Sequence, residues 1–161
     1  MPLTQDIVAT YRRPREVVRR LLAFGPREDR ALAFVMGGCA ILFISEWPSL
    51  AREAHLSGLD LNMQMGGALL GTLMFLPLAL YAVAFVVHLV LGTLTKRGTG
   101  YGSRLVLFWA LLASGPLALL NGLTAGFVGP GIQLQITGVL WAVAFFVFWI
   151  SGLRVVYGRE S

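Results

Sequence analysis

The sequence predicts an all-α integral membrane protein, a four-transmembrane-helix bundle with an N-terminal amphipathic interfacial helix. Two observations predict this fold class. Hydrophobic residues make up 57% of the 161 positions, with a mean hydropathy of +0.74, and charged residues make up only 13%. A soluble domain of this size carries about twice that charged share. A bilayer is therefore expected to be the solvent for most of the chain.

Four apolar runs are each long enough to cross the roughly 30 Å hydrocarbon core as a helix. They cover residues 31–48, 66–94, 105–128 and 134–153, and Pro48 is expected to end the first run. The second run is longer than one crossing needs, so it is expected to tilt or to project into the cytoplasm. The four runs form one transmembrane domain, 31–153, between a basic segment at 1–30 and a tail at 154–161.

Lysine and arginine residues lie mostly on one side of this predicted bundle. Seven precede the first span, one lies in the first loop, three lie in the second loop, none lies in the third, and two lie in the tail. Basic residues are retained on the cytoplasmic side during insertion. Both termini are therefore expected to be cytoplasmic, which requires an even number of spans.

The segment 14–24 is predicted to be a short amphipathic helix, because Pro14 suits a first helical position and apolar residues recur along one face. Its basic residues Arg15, Arg19 and Arg20 are candidates for binding lipid headgroups. Two placements remain open at this point. The helix lies in the headgroup layer of an anionic membrane, or it packs on the protein's own cytoplasmic face.

Two pairs of glycines spaced four apart are predicted to form a helix contact. Gly67 and Gly71 open the second span, and Gly122 and Gly126 close the third, so the predicted topology brings them to the same outer level. Small residues at this spacing let the backbones of two membrane helices approach closely. The second and third spans are therefore expected to pack together at the outer side.

Pro77 and Pro116 fall near the middle of the second and third spans. Each removes a backbone donor and frees a carbonyl one turn earlier, at Leu73 and Leu112. Both helices are expected to kink. Kinked helices with free carbonyls at mid-membrane are typical of transporter substrate sites, so a small oligomeric transporter or permeation pathway is the alternative function.

Three polar residues lie in or near the apolar runs. Glu46 is expected at the outer end, where water reaches it, and His88 near the inner boundary, where it would hydrogen-bond, snorkel or relay protons. Asn121 is expected to make an interhelical hydrogen bond in the third span. A proton path would have to connect Glu46 to His88, which are predicted to lie at opposite faces of the membrane.

The motifs of soluble enzymes and of nucleic-acid-binding proteins do not occur. There is no paired-histidine metal spacing, phosphate-binding loop or hydrolase serine motif, so we predict no enzymatic activity, no metal and no cofactor. The basic residues border apolar spans and come with no nucleic-acid-binding motif. Anionic membrane lipids are the expected partners, together with partner membrane proteins or further copies of the chain.

The layout of the chain resembles the bacterial members of the Yip1 domain family of multi-spanning membrane proteins. The resemblance lies in the basic stretch 14–21 ahead of the spans and in the glycine-rich turn 98–103 that leads through residues 104–108 into a span carrying Pro116. It covers about residues 14–153. The family commonly has five spans where four are counted here, and the Asp-Leu-Tyr-Gly-Pro signature of eukaryotic members is absent.

The resemblance implies a non-enzymatic protein of the bacterial inner membrane that acts in membrane organisation by associating with lipids or partner proteins. Small-GTPase partners are not carried over, because they belong to the members with that signature.

Overall fold

The structure, a computed structural model, describes residues 3–25, 27–58 and 60–158. Within these ranges the chain is helical, without any β-strand. The helices are α1 (Leu3–Arg12), α2 (Pro14–Ala23), α3 (Glu28–Ser57), α4 (Leu61–Leu70), α5 (Leu76–Thr95), α6 (Gly100–Ala113), α7 (Gly115–Phe127) and α8 (Ile132–Tyr157). A π-helical turn, Gly71–Phe75, joins α4 to α5.

Three of these elements are long and apolar enough to cross a membrane. They are α3 with 30 residues, the continuous α4–α5 segment with 35, and α8 with 26. The pair α6 and α7 qualifies as a fourth crossing if the two helices form one span, which is bent by 44° at their junction. The prediction of an all-helical fold is therefore confirmed for the described residues, and three or four of the helices could span a membrane.

The first span does not end at Pro48, as the sequence suggested. Helix α3 continues through this proline to Ser57 and ends at Gly58, which adopts a left-handed conformation with φ of 73° and donates its N–H to the Ala54 carbonyl. A proline inside a helix removes one backbone hydrogen bond but need not end the helix. Here the Pro48 ring lies against Gly126 of α7, which has no side chain to obstruct it.

The span formed by α6 and α7 bends at Ser114, next to Pro116. The N–H groups of Leu117 and Ala118 both bond to the Ser114 carbonyl, at 3.1 Å each. Leu117 would reach the Ala113 carbonyl in a continuous helix, so the bend leaves that carbonyl without its usual donor. The π-helical turn stands at the corresponding place in the second span, directly before Pro77.

Helix α6 forms the centre of the bundle. It packs against α3, α5 and α8, and the N-terminal helices α1 and α2 also contact it. All of its residues except Gly100 and Arg104 are buried. Helix α7 lies at the periphery, between α3 and α8, and exposes its other face.

Candidate functional site

Helices α1 and α2 form an N-terminal hairpin that is attached to α6 by hydrogen bonds. The indole Nε1 of Trp109 donates to Thr10 Oγ1 at 3.0 Å, and that hydroxyl donates to the Asp6 carbonyl at 2.7 Å. Thr10 and Trp109 are both fully buried. A buried indole N–H needs an acceptor, and the hairpin supplies it.

A second hydrogen bond joins the hairpin to the bend in the α6–α7 span. The Tyr11 hydroxyl donates to the Ala113 carbonyl at 2.6 Å, the carbonyl that the bend leaves without its helical donor. Burial raises the pKa of the Tyr11 phenol, which keeps it protonated as a donor. The Tyr11 ring also meets Phe148 of α8 edge to face, with centroids 4.9 Å apart. The hairpin thus supplies a donor to a carbonyl that the bend frees.

The two helices of the hairpin are held together by an ion pair between Asp6 and Arg20. The Asp6 side chain is only 8% exposed, so Arg20 neutralises a carboxylate that would otherwise be costly to bury. Arg20 is therefore committed within the protein, although the sequence suggested it as a headgroup ligand. At the turn of the hairpin Arg13 pairs more weakly with Glu16, at 3.4 Å.

The apolar face of α2 is buried in the protein. Val17, Val18 and Leu21 are each 2% exposed and belong to the main hydrophobic core, with α8 as their principal neighbour. Of the two placements that the sequence left open, the structure therefore has the packed one. These residues cannot also lie in the acyl chains of a bilayer.

The outward side of the hairpin is basic. Arg12, Arg13, Arg15 and Arg19 are exposed, and the whole hairpin carries five arginines against two carboxylates. A groove of about 510 Å³ runs along α1 beside this surface. It is lined by Thr4, Gln5, Val8, Ala9, Arg12 and Arg13. The site therefore combines an apolar groove floor with guanidinium groups at one end.

Further polar contacts lie at the end of the bundle where α5 leads into α6, called here the basic end because it carries Lys96, Arg97, Arg104 and Arg154. Arg104 forms an ion pair with Glu28 of α3. His88 Nδ1 lies 2.7 Å from the hydroxyl of Tyr157, and the two share a hydrogen bond that ties α5 to α8. His88, one of the three polar residues identified in the apolar runs, therefore helps to hold two helices together.

The glycine-rich turn has a packing role that its sequence did not reveal. A Cβ added at Gly98 would stand 2.5 Å from the Tyr157 ring, and one added at Gly102 would stand 2.9 Å from Val156. Gly98 also has a φ of 77°, which side chains disfavour. These glycines let the start of α6 approach the end of α8 closely.

The two predicted glycine pairs do not meet. A Cβ at Gly122 would overlap the backbone of Ser45, and one at Gly126 would overlap Pro48, so this pair packs on α3. No described atom lies within 4 Å of the corresponding positions at Gly67 and Gly71, which face outward from α4 and the π-helical turn. The contact predicted between the second and third spans is therefore wrong, because α3 occupies that face of α7.

Glu46 and Asn121 lie away from the basic end. Glu46 is exposed on α3 near Trp47, whereas Asn121 Oδ1 accepts a hydrogen bond of 3.0 Å from Thr137 Oγ1, which joins α7 to α8. Arg52 lies at the same end of the bundle as Gly126 and donates to its carbonyl at 3.4 Å. Glu46 is thus far along the bundle from His88, and no described contact links them.

Among the described residues no group of three histidine, cysteine, aspartate or glutamate side chains could hold a metal ion. Sequence reasoning did not identify the residues of α1, because the predicted site consisted of the basic residues that follow it. Two features of the sequence could have indicated the hairpin. Asp6 lies fourteen positions before Arg20, across the break at Pro14, and apolar residues recur at helical spacing along α1.

Comparisons of the chain with protein-family models, with curated proteins and with solved structures found no match.

Proposed function

We propose that this is a non-enzymatic, Yip1-like protein of the bacterial inner membrane. It acts in membrane organisation by binding anionic phospholipids. The binding surface is the outward face of the N-terminal hairpin, with Arg12, Arg13 and Arg15 as the headgroup ligands. The resemblance to the Yip1 domain family rests on the stretches 14–21 and 98–108 quoted above and is part of the proposal.

One observation carries this proposal: the arginines are presented by a hairpin whose apolar side is already buried in the bundle. Guanidinium groups bind phosphate oxygens bidentately, and each basic residue near an anionic surface contributes roughly 1 kcal/mol. Because the hairpin is fixed by the Trp109–Thr10 and Tyr11–Ala113 hydrogen bonds, little conformational entropy is lost when a headgroup binds.

The test compares two triple variants that remove the same charge. In the first, Arg12, Arg13 and Arg15 are replaced by glutamine; in the control, the exposed arginines 27, 97 and 154, which lie off the hairpin, are replaced by glutamine. A short-chain, water-soluble phosphatidylglycerol is titrated into the detergent-solubilised protein. We expect the hairpin variant to bind at least about tenfold more weakly, since three charges at roughly 1 kcal/mol each are lost, and the control to bind nearly as the wild type.

Binding should also weaken with added salt, and phosphatidylcholine of the same chain length should bind less tightly. Equal losses in the two triple variants would mean that only net charge matters, and the hairpin surface would then not be the lipid site. Unchanged binding in both variants would remove the arginines from the proposal altogether.

A further inference from the structure

The tip of the N-terminal hairpin, residues 12–14, lies at the level of the bend in the α6–α7 span. The hydrogen bond from Tyr11 to the Ala113 carbonyl fixes this level. The ion pair between α1 and α2 shows that the two helices run antiparallel away from the tip. Helix α2 leads on to Glu28, which pairs with Arg104 near the basic end. Ala113 lies nine residues beyond Arg104 on α6, which is about 13 Å along the axis.

This level is the centre of the zone in which the spans carry no charge. Gly38 of α3 packs against Leu111 and Leu112, directly before the bend. The nearest charged residues of α3 are Arg30 and Glu46, each eight positions from Gly38, or about 12 Å along the helix. No aspartate, glutamate, lysine or arginine occurs in the other apolar segments, 61–95, 105–128 and 132–153. The hydrocarbon core of the bilayer is therefore expected to be centred near the hairpin tip.

The protein surface on either side of the tip is apolar, as a surface in contact with lipid should be. Phe148 of α8, which meets the Tyr11 ring, lies beside the exposed residues Val147 and Ile150. Leu78 of α5, one turn from the ring contact between α5 and α6, is 66% exposed. Lipid chains are thus expected to reach this level around the rest of the bundle.

A bilayer placed so that the hairpin tip stays outside would have to cover the opposite end of the bundle. A core of roughly 30 Å that begins at Gly38 extends about twenty residues along α3. It would enclose Glu46, Arg52 and Glu53, of which both glutamates are exposed. It would also leave most of the exposed apolar surface of α5 in water. The central placement avoids both costs, and only the hairpin then has to be accommodated.

The hairpin tip is charged where the surfaces beside it are apolar. Arg12 and Arg13 are exposed, and the Arg13 guanidinium has only a loose contact with Glu16, at 3.4 Å. A charged side chain in hydrocarbon draws in water and thins the bilayer unless it reaches the surface. The charged level at Arg104 is about 13 Å away along α6, which is longer than an arginine side chain. The membrane surface must therefore come to the arginines.

The groove along α1 connects the tip with the basic end. Its lining begins at Thr4 and ends at Arg13, a distance of about 13 Å along the helix. Because α1 runs toward the tip, the Thr4 end opens toward the basic end and the arginines stand at the deep end. The groove, of about 510 Å³, thus offers polar contacts along the depth that a headgroup would have to cross.

We propose that the hairpin holds a depression in the bilayer, in which water and phospholipid headgroups descend along the α1 groove to Arg12 and Arg13. The protein thus thins the membrane locally, by roughly half the hydrocarbon thickness. A second copy is a poor occupant of this face, because a symmetric contact would bring the exposed arginines of both hairpins together. The inference rests on the proposed function and deepens it, since it gives the depth at which these arginines hold a headgroup.

Fluorescence quenching measures the depth of the hairpin surface. A single cysteine replaces Val8, which lines the groove and is 64% exposed, in the Cys39→Ser background. Leu78→Cys in the same background is the matched control, because it lies at nearly the same level on α5. The full chain is labelled with bimane and reconstituted in vesicles of phosphatidylcholine and phosphatidylglycerol.

One set of vesicles contains a phospholipid with a nitroxide on its headgroup, and another set contains one with a nitroxide near the chain end. We expect the headgroup nitroxide to quench position 8 at least about threefold more strongly than position 78, because the depression brings headgroups to position 8 alone. The chain-end nitroxide should show the reverse order.

A double variant tests whether the arginines hold the depression. With Arg12 and Arg13 replaced by glutamine, headgroup quenching at position 8 should fall at least about twofold, because lipid chains cover a neutral surface at lower cost. Replacing Arg27 and Arg97 by glutamine removes the same charge off the hairpin and should leave quenching unchanged. All four arginines are exposed, so both variants should keep the fold.

Several results would overturn the proposal. Stronger quenching of position 8 by the chain-end nitroxide would place the hairpin in hydrocarbon, and access of aqueous iodide to both positions would place the whole α6 layer outside the bilayer. Protection of position 8 from all three quenchers would assign the face to a second copy. Unchanged headgroup quenching in the Arg12 and Arg13 variant would remove the charges as the cause.

The proposed function can fail separately. If short-chain phosphatidylglycerol does not bind the hairpin in detergent, the preference for anionic lipid is wrong, but the depth measured at position 8 stands. If it binds and position 8 is quenched like position 78, only the depression is wrong.

Discussion

Helices α6 and α7 are two halves of one bent span, yet they have different surroundings. Leu105 to Ala113 of α6 are all buried, whereas α7 buries Gly115, Ala118 and Gly122 and exposes Leu120, Leu123 and Phe127. The difference arises because the N-terminal hairpin closes the side of α6 that α3, α5 and α8 leave open. A helix of the predicted membrane domain thus obtains a core like that of a soluble protein from a segment outside the apolar runs.

The two halves also pack by different means. Helix α6 uses large side chains, with Phe108 and Trp109 fully buried and in ring contact with Tyr81 and Phe34, respectively. Helix α7 uses glycine, which brings its backbone against that of α3. In lipid no hydrophobic drive favours burying leucine over leaving it exposed, so close backbone contact becomes the source of stability.

The largest effect is expected for Trp109→Ala in α6. The change leaves a cavity in a fully buried layer and removes the donor to Thr10. It should lower the free energy of unfolding by about 3–5 kcal/mol. Leu123→Ala in α7 is the matched control, because a side chain that is 47% exposed loses few protein contacts when it is truncated. Leu123→Ala should lower the free energy of unfolding by less than about 1 kcal/mol.

Unfolding by dodecyl sulfate in mixed micelles, followed by circular dichroism, measures both variants. Equal losses of stability in Trp109→Ala and Leu123→Ala would mean that α6 and α7 have the same environment, which would contradict the difference described above.

Replacing one glycine by alanine is expected to change the stability of the protein less than Trp109→Ala does. The change should have opposite signs at the two glycine pairs. Gly122→Ala should destabilise the protein by about 1–3 kcal/mol, because α7 must move away from the Ser45 backbone. Gly67→Ala meets no neighbour and should stabilise the protein slightly, by up to about 1 kcal/mol, since alanine favours the helix.

The same titration with dodecyl sulfate distinguishes the two glycine variants. Destabilisation by Gly67→Ala would indicate a contact at that position that the single chain does not contain.

Much of the bundle follows from local sequence. The apolar runs predicted helices at 66–94 and 134–153, and the helices observed are Leu61–Thr95, including the π-helical turn, and Ile132–Tyr157. Hydrophobicity over some twenty residues is a strong signal, whereas helix ends depend on single residues. The helix end predicted at Pro48 was wrong for this reason. The space that the Pro48 ring occupies exists because residue 126, nearly eighty positions away, is glycine.

The candidate site was less accessible to sequence reasoning. The sequence identified the arginines of α2 as candidates. It did not show that Arg20 is held in an internal ion pair while others are exposed, because that pair depends on Asp6 of α1. The residue that hydrogen-bonds to the bend in the α6–α7 span could not be predicted either. The sequence indicated that Pro116 frees the Leu112 carbonyl. The bend also frees the Ala113 carbonyl, which is bonded to Tyr11, a residue about a hundred positions away. Long-range polar contacts of this kind leave no periodic pattern.

The docking of the hairpin on α6 is the central claim, and photo-crosslinking tests it most directly. Benzoylphenylalanine replaces Tyr11, whose ring lies against Phe148, or Phe127 of α7, which is 79% exposed. After irradiation in native membranes, position 11 should yield peptides joined to residues 109–113 or to α8, and position 127 should yield mainly lipid adducts. Lipid adducts at position 11, without protein crosslinks, would contradict the account, because the hairpin would then lie in the membrane and α6 would be open on that side.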